Sequence, residues 1–284
     1  MKKIKTIPAL KRSIREIKEM KKTLGFVPTM GYFHRGHLSL IRNAKKDNDI
    51  ALISVFVNPA QFGENEDFLK YPRDPARDRR MAEDEGADIF FEPAVREMYP
   101  EGYRTYIEVD GLSGLLCGKS RPGHFRGVAT VVAKLLNIVR PDVLYLGQKD
   151  AQQAVILKKM VKDLDFDVKV KVLPTVREDD GLAMSSRNRY LSDEERKAAP
   201  LIYRALLEAK TGIEGGCTDP AEISRTVEGT IAGEKKFRID YVDIVDAANL
   251  KPVRKIEGTV LIAVAARLGD TRLIDNILIG ADTL

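Results

Sequence analysis

Pro28-Thr29-Met30-Gly31-Tyr32-Phe33-His34-Arg35-Gly36-His37 follows the apolar run Gly25-Phe26-Val27 and precedes Leu38-Ser39-Leu40-Ile41. This order predicts a strand, a glycine-containing turn and a helix, the opening unit of an α/β sheet. A helix N-terminus presents unpaired N–H groups and the positive end of a dipole, and both favour a phosphate. Gly31 and Gly36 allow close approach of the backbone to a ligand, or a positive φ. His34 and His37 are two of only three histidines in the chain. A helix that begins between them would let both rings face one anion. A glycine turn of this kind also serves as a mere connection, so further segments have to decide between the two readings.

On the N-terminal side, Leu10, Ile14, Ile17, Met20 and Leu24 recur at mostly three- and four-residue intervals between basic residues. That spacing predicts an amphipathic helix over residues 10–24. On the C-terminal side, residues 50–57 form a nearly continuous apolar run, which suits a strand buried on both faces of a parallel sheet. It ends in Asn58-Pro59-Ala60-Gln61-Phe62-Gly63, a turn carrying two amides. A charged helix over 75–86 stopped by Gly86, a strand at 87–91, a helix over 128–139, a strand at 143–146, a helix through Leu164 and a strand at 168–173 follow. Strands alternating with helices predict a Rossmann-like, doubly wound parallel sheet. Ligands of such sheets bind outside the carboxyl ends of the strands. The turns at Met30–His37, Asn58–Gly63 and Gly147-Gln148-Lys149-Asp150 all leave strand C-termini and are expected to converge on one crevice.

From about residue 176 the pattern changes. Residues 177–188 have no clear period, Ser192-Asp193-Glu194-Glu195 reads as a helix start, and 237–247, 259–268 and 271–279 read as strands without a helix between the last two. The expectation is a Rossmann-like α/β domain over 1–175 and a smaller α+β domain over 176–284.

The chain has 284 residues, 47 Lys and Arg against 42 Asp and Glu, and a formal charge of +5. The length accommodates a sizeable core. The mixed charge fits small phosphorylated ligands as well as nucleic acid. Cys117 and Cys217 lie a hundred residues apart, with no metal-ligand or redox spacing, as in proteins of a reducing compartment. No signal-peptide core or membrane-length apolar run is present, so a cytoplasmic protein with no membrane partner is expected. A basic RNA-binding module or a tRNA synthetase fragment is disfavoured, because the basic residues are dispersed and little room for an anticodon-binding domain remains after residue 188.

Five ordered motifs, Pro28–His37, Phe56–Gly63, Arg121–Val132, Gly147–Gln153 and Gly181–Ser192, together resemble the pantoate–β-alanine ligase family. Looser kinship extends to the wider nucleotidyltransferase and class I aminoacyl-tRNA synthetase group. The resemblance implies an ATP-dependent condensation, with ATP and pantoate bound by the domain over 1–175. Pantoate carboxylate attacks the α-phosphorus of ATP to give pantoyl adenylate and pyrophosphate, and β-alanine then displaces AMP. It implies ATP contacts from Met30, Gly31, His34, His37, Gly147, Gln148, Lys149, Asp150, Val176, Met184, Ser185, Ser186 and Arg187. His37, His34 and Lys149 are the expected catalytic groups, because positive charge and donors aimed at phosphate oxygens stabilise the shifting charge.

Gln61, Gln153 and Asn58 are expected on pantoate, where amides can bond hydroxyls and carboxylate without adding charge. Mg2+ is expected with ATP, held mainly by phosphate oxygens and water, with Asp78 as a candidate carboxylate helper. The C-terminal domain would act as a lid that keeps water from the acyl adenylate, and a homodimer is implied. Tyr32-Phe33 and Ala151 depart from the usual family residues. His124 and Arg126 are left open between anion contact and capping or packing. A different nucleotidyltransferase remains the enzymatic alternative; it would leave Gln61 and Gln153 without their pantoate role.

Overall fold

The computed structural model describes residues 1–64, 66–281 and 283–284. Its strands are β1 (Lys2–Ile4), β2 (Leu24–Thr29), β3 (Ile50–Val55), β4 (Ile89–Phe91), β5 (Val143–Gly147), β6 (Lys169–Leu173), β7 (Phe237–Asp246), β8 (Val260–Leu268) and β9 (Thr271–Ile279). Its α-helices are α1 (Ile7–Glu19), α2 (Arg35–Asp47), α3 (Pro75–Asp84), α4 (Val95–Met98), α5 (Cys117–Ser120), α6 (His124–Val139), α7 (Ala151–Asp163), α8 (Asp193–Ala198), α9 (Leu201–Glu214) and α10 (Pro220–Ala232). The chain forms two compact units. One comprises Met1–Gly114, Ser120–Leu146 and Ile156–Leu173; the other comprises Leu115–Lys119, Gly147–Val155 and Pro174–Leu284.

The first unit holds a six-stranded sheet in the order β1-β4-β3-β2-β5-β6, and the pairs β1–β4, β4–β3, β3–β2 and β2–β5 are parallel. The order reverses direction between β2 and β5, the switch point at which doubly wound sheets open a crevice. Central strands are apolar on both faces because both are covered: Phe26, Val27, Leu52, Ile53 and Phe90 are fully buried. Val27, Ile53 and Phe90 pack with Ile41 and Ala44 of α2 and Ala82 of α3, while α1 packs against α6. Helix α1 ends at Glu19, five residues short of the expected limit. Leu10, Ile14 and Ile17 are buried, but Met20 is 57% exposed and Leu24 already opens β2. The left-handed Lys21, at φ 55°, breaks the helical pattern there.

In the second unit β7, β8 and β9 form an antiparallel sheet, paired through Asp246↔Val260 and Val260↔Ile279. Helices α9 and α10 cover it, burying Ile202, Leu206, Val227 and Ile231 against Val242, Ile262 and Val264. Ser192 and Glu195 close a reciprocal capping box at the start of α8. This is the smaller α+β part expected from the run of helices followed by strands. Among the described residues no helix is long and apolar enough to cross a membrane.

Candidate active site

Strand β2 delivers Met30–His37 to the carboxyl edge of the first unit's sheet, and α2 begins at Arg35, between the two histidines. His34 is the N-cap, and its Nδ1 accepts from the Gly36 N–H at 3.2 Å. The His34 and His37 rings lie 4.1 Å apart between centroids, tilted by 39°. Gly31 takes the positive φ that the sequence allowed (85°), whereas Gly36 sits inside the first helical turn. Tyr32 is also left-handed, at φ 53°, which costs a non-glycine residue about 1–2 kcal/mol.

Helix α3 holds that strained turn in place. The Tyr32 and Phe33 N–H groups each donate to Asp78, to Oδ2 and Oδ1 respectively, both at 2.7 Å. Arg77 donates to the Phe33 carbonyl at 3.0 Å and lies over the Tyr32 ring. A Cβ on Gly31 would come within 2.9 Å of Asp78 Oδ2. Burial pushes the Asp78 carboxyl up from its ordinary value, against the pull of these two N–H groups and Arg77. Asp78 is thus a brace for the histidine turn. Among the described residues no group of three or more His, Cys, Asp or Glu side chains is arranged to hold a metal ion.

The second turn of this unit follows β3. Asn58 is 1% exposed, and its amide is fully engaged. Its Nδ2 donates to Gln61 Oε1 (3.0 Å) and to the Gly127 carbonyl (3.1 Å), while Oδ1 accepts from the Tyr99 hydroxyl (2.8 Å) and the Ala60 N–H (3.3 Å). Gln61 Nε2 in turn donates to Met30 Sδ at 3.2 Å, linking the amide turn to the histidine turn. Helix α6 packs on residues 59–61, and Gly127 permits it. A Cβ there would fall 2.1 Å from the Ala60 carbonyl oxygen.

His124, the first residue of α6, supports the same turn. Arg121 Nη1 lies 3.0 Å from His124 Nε2, and His124 Nδ1 lies 2.8 Å from the Gln61 carbonyl oxygen. A guanidinium only donates, so Nε2 accepts and Nδ1–H donates to Gln61. Arg121 is itself paired with Glu66 through two bonds of 2.7 and 2.5 Å. Arg126 stacks on Tyr106, 4.2 Å from its centroid. In this structure His124 supports the Gln61 turn and Arg126 packs on Tyr106.

The other expected residues belong to the second unit. Gly147 ends β5, and Gln148–Asp150 form a 3-10 turn leading into α7. Lys149 Nζ is 3.5 Å from Asp150 Oδ1, and Gln153 stands partly buried in the first turn of α7. Residues 176–184 form a tight hairpin in which the Met184 N–H donates to the Val176 carbonyl at 3.0 Å and Arg177 bridges Ala183. Ser185 caps the 3-10 turn Ser186–Tyr190, accepting from the Arg187 N–H at 3.3 Å. The histidine and amide turns thus meet within one unit, and the lysine turn and serine loop are built into the other.

Sequence reasoning missed Asp78 as a loop brace, Tyr99, Arg121 and the role of Gly127. Only Gly127 left a trace. A glycine at the head of an apolar helical pattern marks close backbone approach, but the apolar spacing itself begins one residue later, at Val128.

A parallel sheet that reverses order at β2, with His-x-Gly-His opening the helix after that strand, defines a doubly wound α/β fold with its crevice at that switch point. A profile of the family described as Pantoate-beta-alanine ligase matches residues 2–278. A pantothenate synthetase of Acetivibrio thermocellus is 53% identical over 279 residues, 98% of this chain and 99% of that one. One from a Sulfurihydrogenibium species is 58% identical over 262 residues, 92% and 94% of the two chains. The crystal structure of pantothenate synthetase from Thermus thermophilus superposes with a TM-score of 0.93 at 46% identity, covering 98% of this chain and 99% of that one. The Francisella tularensis pantoate-β-alanine ligase, complexed with β-γ ATP and β-alanine, gives a TM-score of 0.80 at 35% identity, covering 98% and 97%.

The chain belongs to the pantoate–β-alanine ligase family. It is a ligase that condenses pantoate with β-alanine at the expense of ATP, through pantoyl adenylate, in pantothenate biosynthesis.

Proposed function

We propose that the residues described above divide the reaction between phosphate handling and pantoate recognition. The observation that carries this reading is the histidine turn, two imidazoles stacked at 4.1 Å on the first turn of α2 with the Gln61 amide linked to it through Met30. Carboxylate oxygen is a poor leaving group at neutral pH, so pantoate has to be adenylated before an amine can displace it. His37, with His34 and the N–H groups of α2, stabilises the phosphates while charge shifts onto pyrophosphate. Lys149, Ser185, Ser186 and Arg187 hold the phosphates of the same ATP, and Met30, Gly31, Gly147, Gln148, Asp150, Val176 and Met184 contact the nucleotide, with Asp150 suited to the ribose hydroxyls.

Gln61 and Gln153 bind pantoate. Asn58 contributes by fixing the Gln61 carboxamide, since its own protons and lone pairs are already taken. The β-alanine amine then attacks the acyl carbon, and AMP leaves with the pair of electrons of the broken acyl–oxygen bond. Mg2+ would enter with the nucleotide and would offset negative charge on its phosphates. The described side chains offer it no cage, and no step above depends on one. The reading also takes residues 1–175 as the ATP- and pantoate-binding domain, residues 176–284 as a lid, and the protein as a cytoplasmic homodimer without nucleic-acid or membrane partners. Unchanged solution scattering on adding ATP and pantoate would remove the lid.

The deciding assay is single-turnover pyrophosphate release with ATP and pantoate, followed by AMP release on adding β-alanine. His37→Ala and Lys149→Ala are each expected to slow the first phase by about 100-fold or more, with circular dichroism unchanged. Wild-type rates in either variant would remove that residue from the mechanism.

A further inference from the structure

Strand β9 carries two adjacent buried polar residues, Asp275 and Asn276, 5% and 4% exposed, in a stretch otherwise made of Leu273, Ile274, Ile277 and Leu278. Packing alone would be met by apolar residues, and a buried amide is unfavourable unless its hydrogen bonds are made. Asn276 makes two of them to one place. Its Nδ2 donates to the Gln148 carbonyl and to the Lys149 carbonyl, both at 3.0 Å.

These two acceptors belong to the successive peptide planes on either side of the Lys149 Cα. Peptide planes are rigid, so fixing both sets φ and ψ at Lys149 and with them the direction of its Cα–Cβ bond. Asp275 works on the neighbouring segment. It receives Arg177 Nη1 and Nη2 at 2.6 and 3.0 Å, and Arg177 also donates to the Gly181 carbonyl at 3.1 Å. The same two strand positions therefore fasten the turn that carries Lys149 and the hairpin that leads into Met184–Arg187.

We propose that Asn276 is a positioning residue for adenylation, which acts by aiming Lys149 at the phosphates. The inference rests on the role given to Lys149 above. It assigns a task to the C-terminal sheet, which supplies none of the residues expected on ATP or pantoate.

A double-mutant cycle in single-turnover pyrophosphate release tests it, using the full-length protein with ATP and pantoate. Asn276→Ala is expected to slow adenylation about tenfold or more, as loss of a supporting bond to a reacting group does. In the Lys149→Ala background the same change is expected to cost less than about twofold, because the side chain it aims is gone. A purely structural role would instead multiply the two losses. Multiplying losses, or a wild-type rate in folded Asn276→Ala, would overturn the proposal. A wild-type rate in Lys149→Ala would overturn the role of Lys149 itself, a separately visible outcome. If Asn276→Ala is unfolded at the assay temperature by circular dichroism, Asn276→Leu, which fills the same space without a donor, replaces it in the cycle, and the same two results support or overturn the proposal.

Discussion

Replacing Gly127 by alanine tests whether the spacing between α6 and the 59–61 turn sets pantoate recognition. The added Cβ would sit 2.1 Å from the Ala60 carbonyl oxygen, 2.4 Å from its carbon and 2.6 Å from the Gln61 nitrogen. All three are backbone atoms, which cannot rotate out of the way. Ordinary contact begins at 3.4 Å, so the turn must recede by about 1.3 Å. That movement also stretches the 3.1 Å bond from Asn58 to the Gly127 carbonyl, which holds the amide orienting Gln61. Misplacement on the ångström scale costs on the order of 100-fold in rate, and overpacking costs about 1–3 kcal/mol of stability. We therefore expect kcat/KM for pantoate to fall about 100-fold. ATP affinity, assigned to other segments, should change by about twofold at most. Steady-state pyrophosphate release over a pantoate titration, with ATP binding measured by calorimetry, separates the two. A folded Gly127→Ala protein with wild-type kcat/KM for pantoate would refute the argument that this glycine positions Gln61.

Asp78→Ala strips the buried Phe33 N–H and the partly buried Tyr32 N–H of their acceptor and releases the left-handed Tyr32. Urea unfolding should show a loss of about 2–4 kcal/mol, and a loss below about 0.5 kcal/mol would remove Asp78 as the brace. At Glu66, burial pushes the carboxyl up, but the paired Arg121 guanidinium and the Gly63 N–H outweigh it and leave the group below its ordinary 4.5. Its contribution to stability is therefore present above that value and lost as pH falls through the lower folded one. Glu66→Gln should flatten this part of the acid limb in urea midpoints measured from pH 6 to 3, and an unchanged slope would exclude the pair as a source of acid sensitivity.

The parallel sheet was legible because its strands are buried on both faces and so read as unbroken apolar runs, with Gly86 and Pro141 punctuating the helices between them. The end of α1 was not. Met20 and Leu24 continue the helical spacing, and the left-handed turn at Lys21 together with the place of Leu24 in β2 breaks it. The residues proposed to carry the chemistry stand out in the sequence by type and order, as in the paired histidines and the serine loop. The groups that hydrogen-bond to those segments do not. Asp78, Tyr99 and Asn276 act through contacts 41 to 128 residues away in sequence, and no local pattern records such partners. Asn58 reads as a substrate contact because an amide in a turn looks available. Four hydrogen bonds to its own protein already occupy it.

The way the chain is apportioned between its two units bears on its synthesis and ancestry. It passes from one unit to the other five times, at 114/115, 119/120, 146/147, 155/156 and 173/174. Neither unit is a contiguous gene segment, so neither can be borrowed whole by recombination or expressed by a single truncation. A ribosome that has released residue 175 has already made the segments 115–119 and 147–155. Their partners in β7 and β9, such as the Tyr241 hydroxyl on Cys117 and the Asn276 amide on Lys149, have yet to be translated. The nascent chain must carry a lysine turn without its Asn276 hydrogen bonds until β9 emerges.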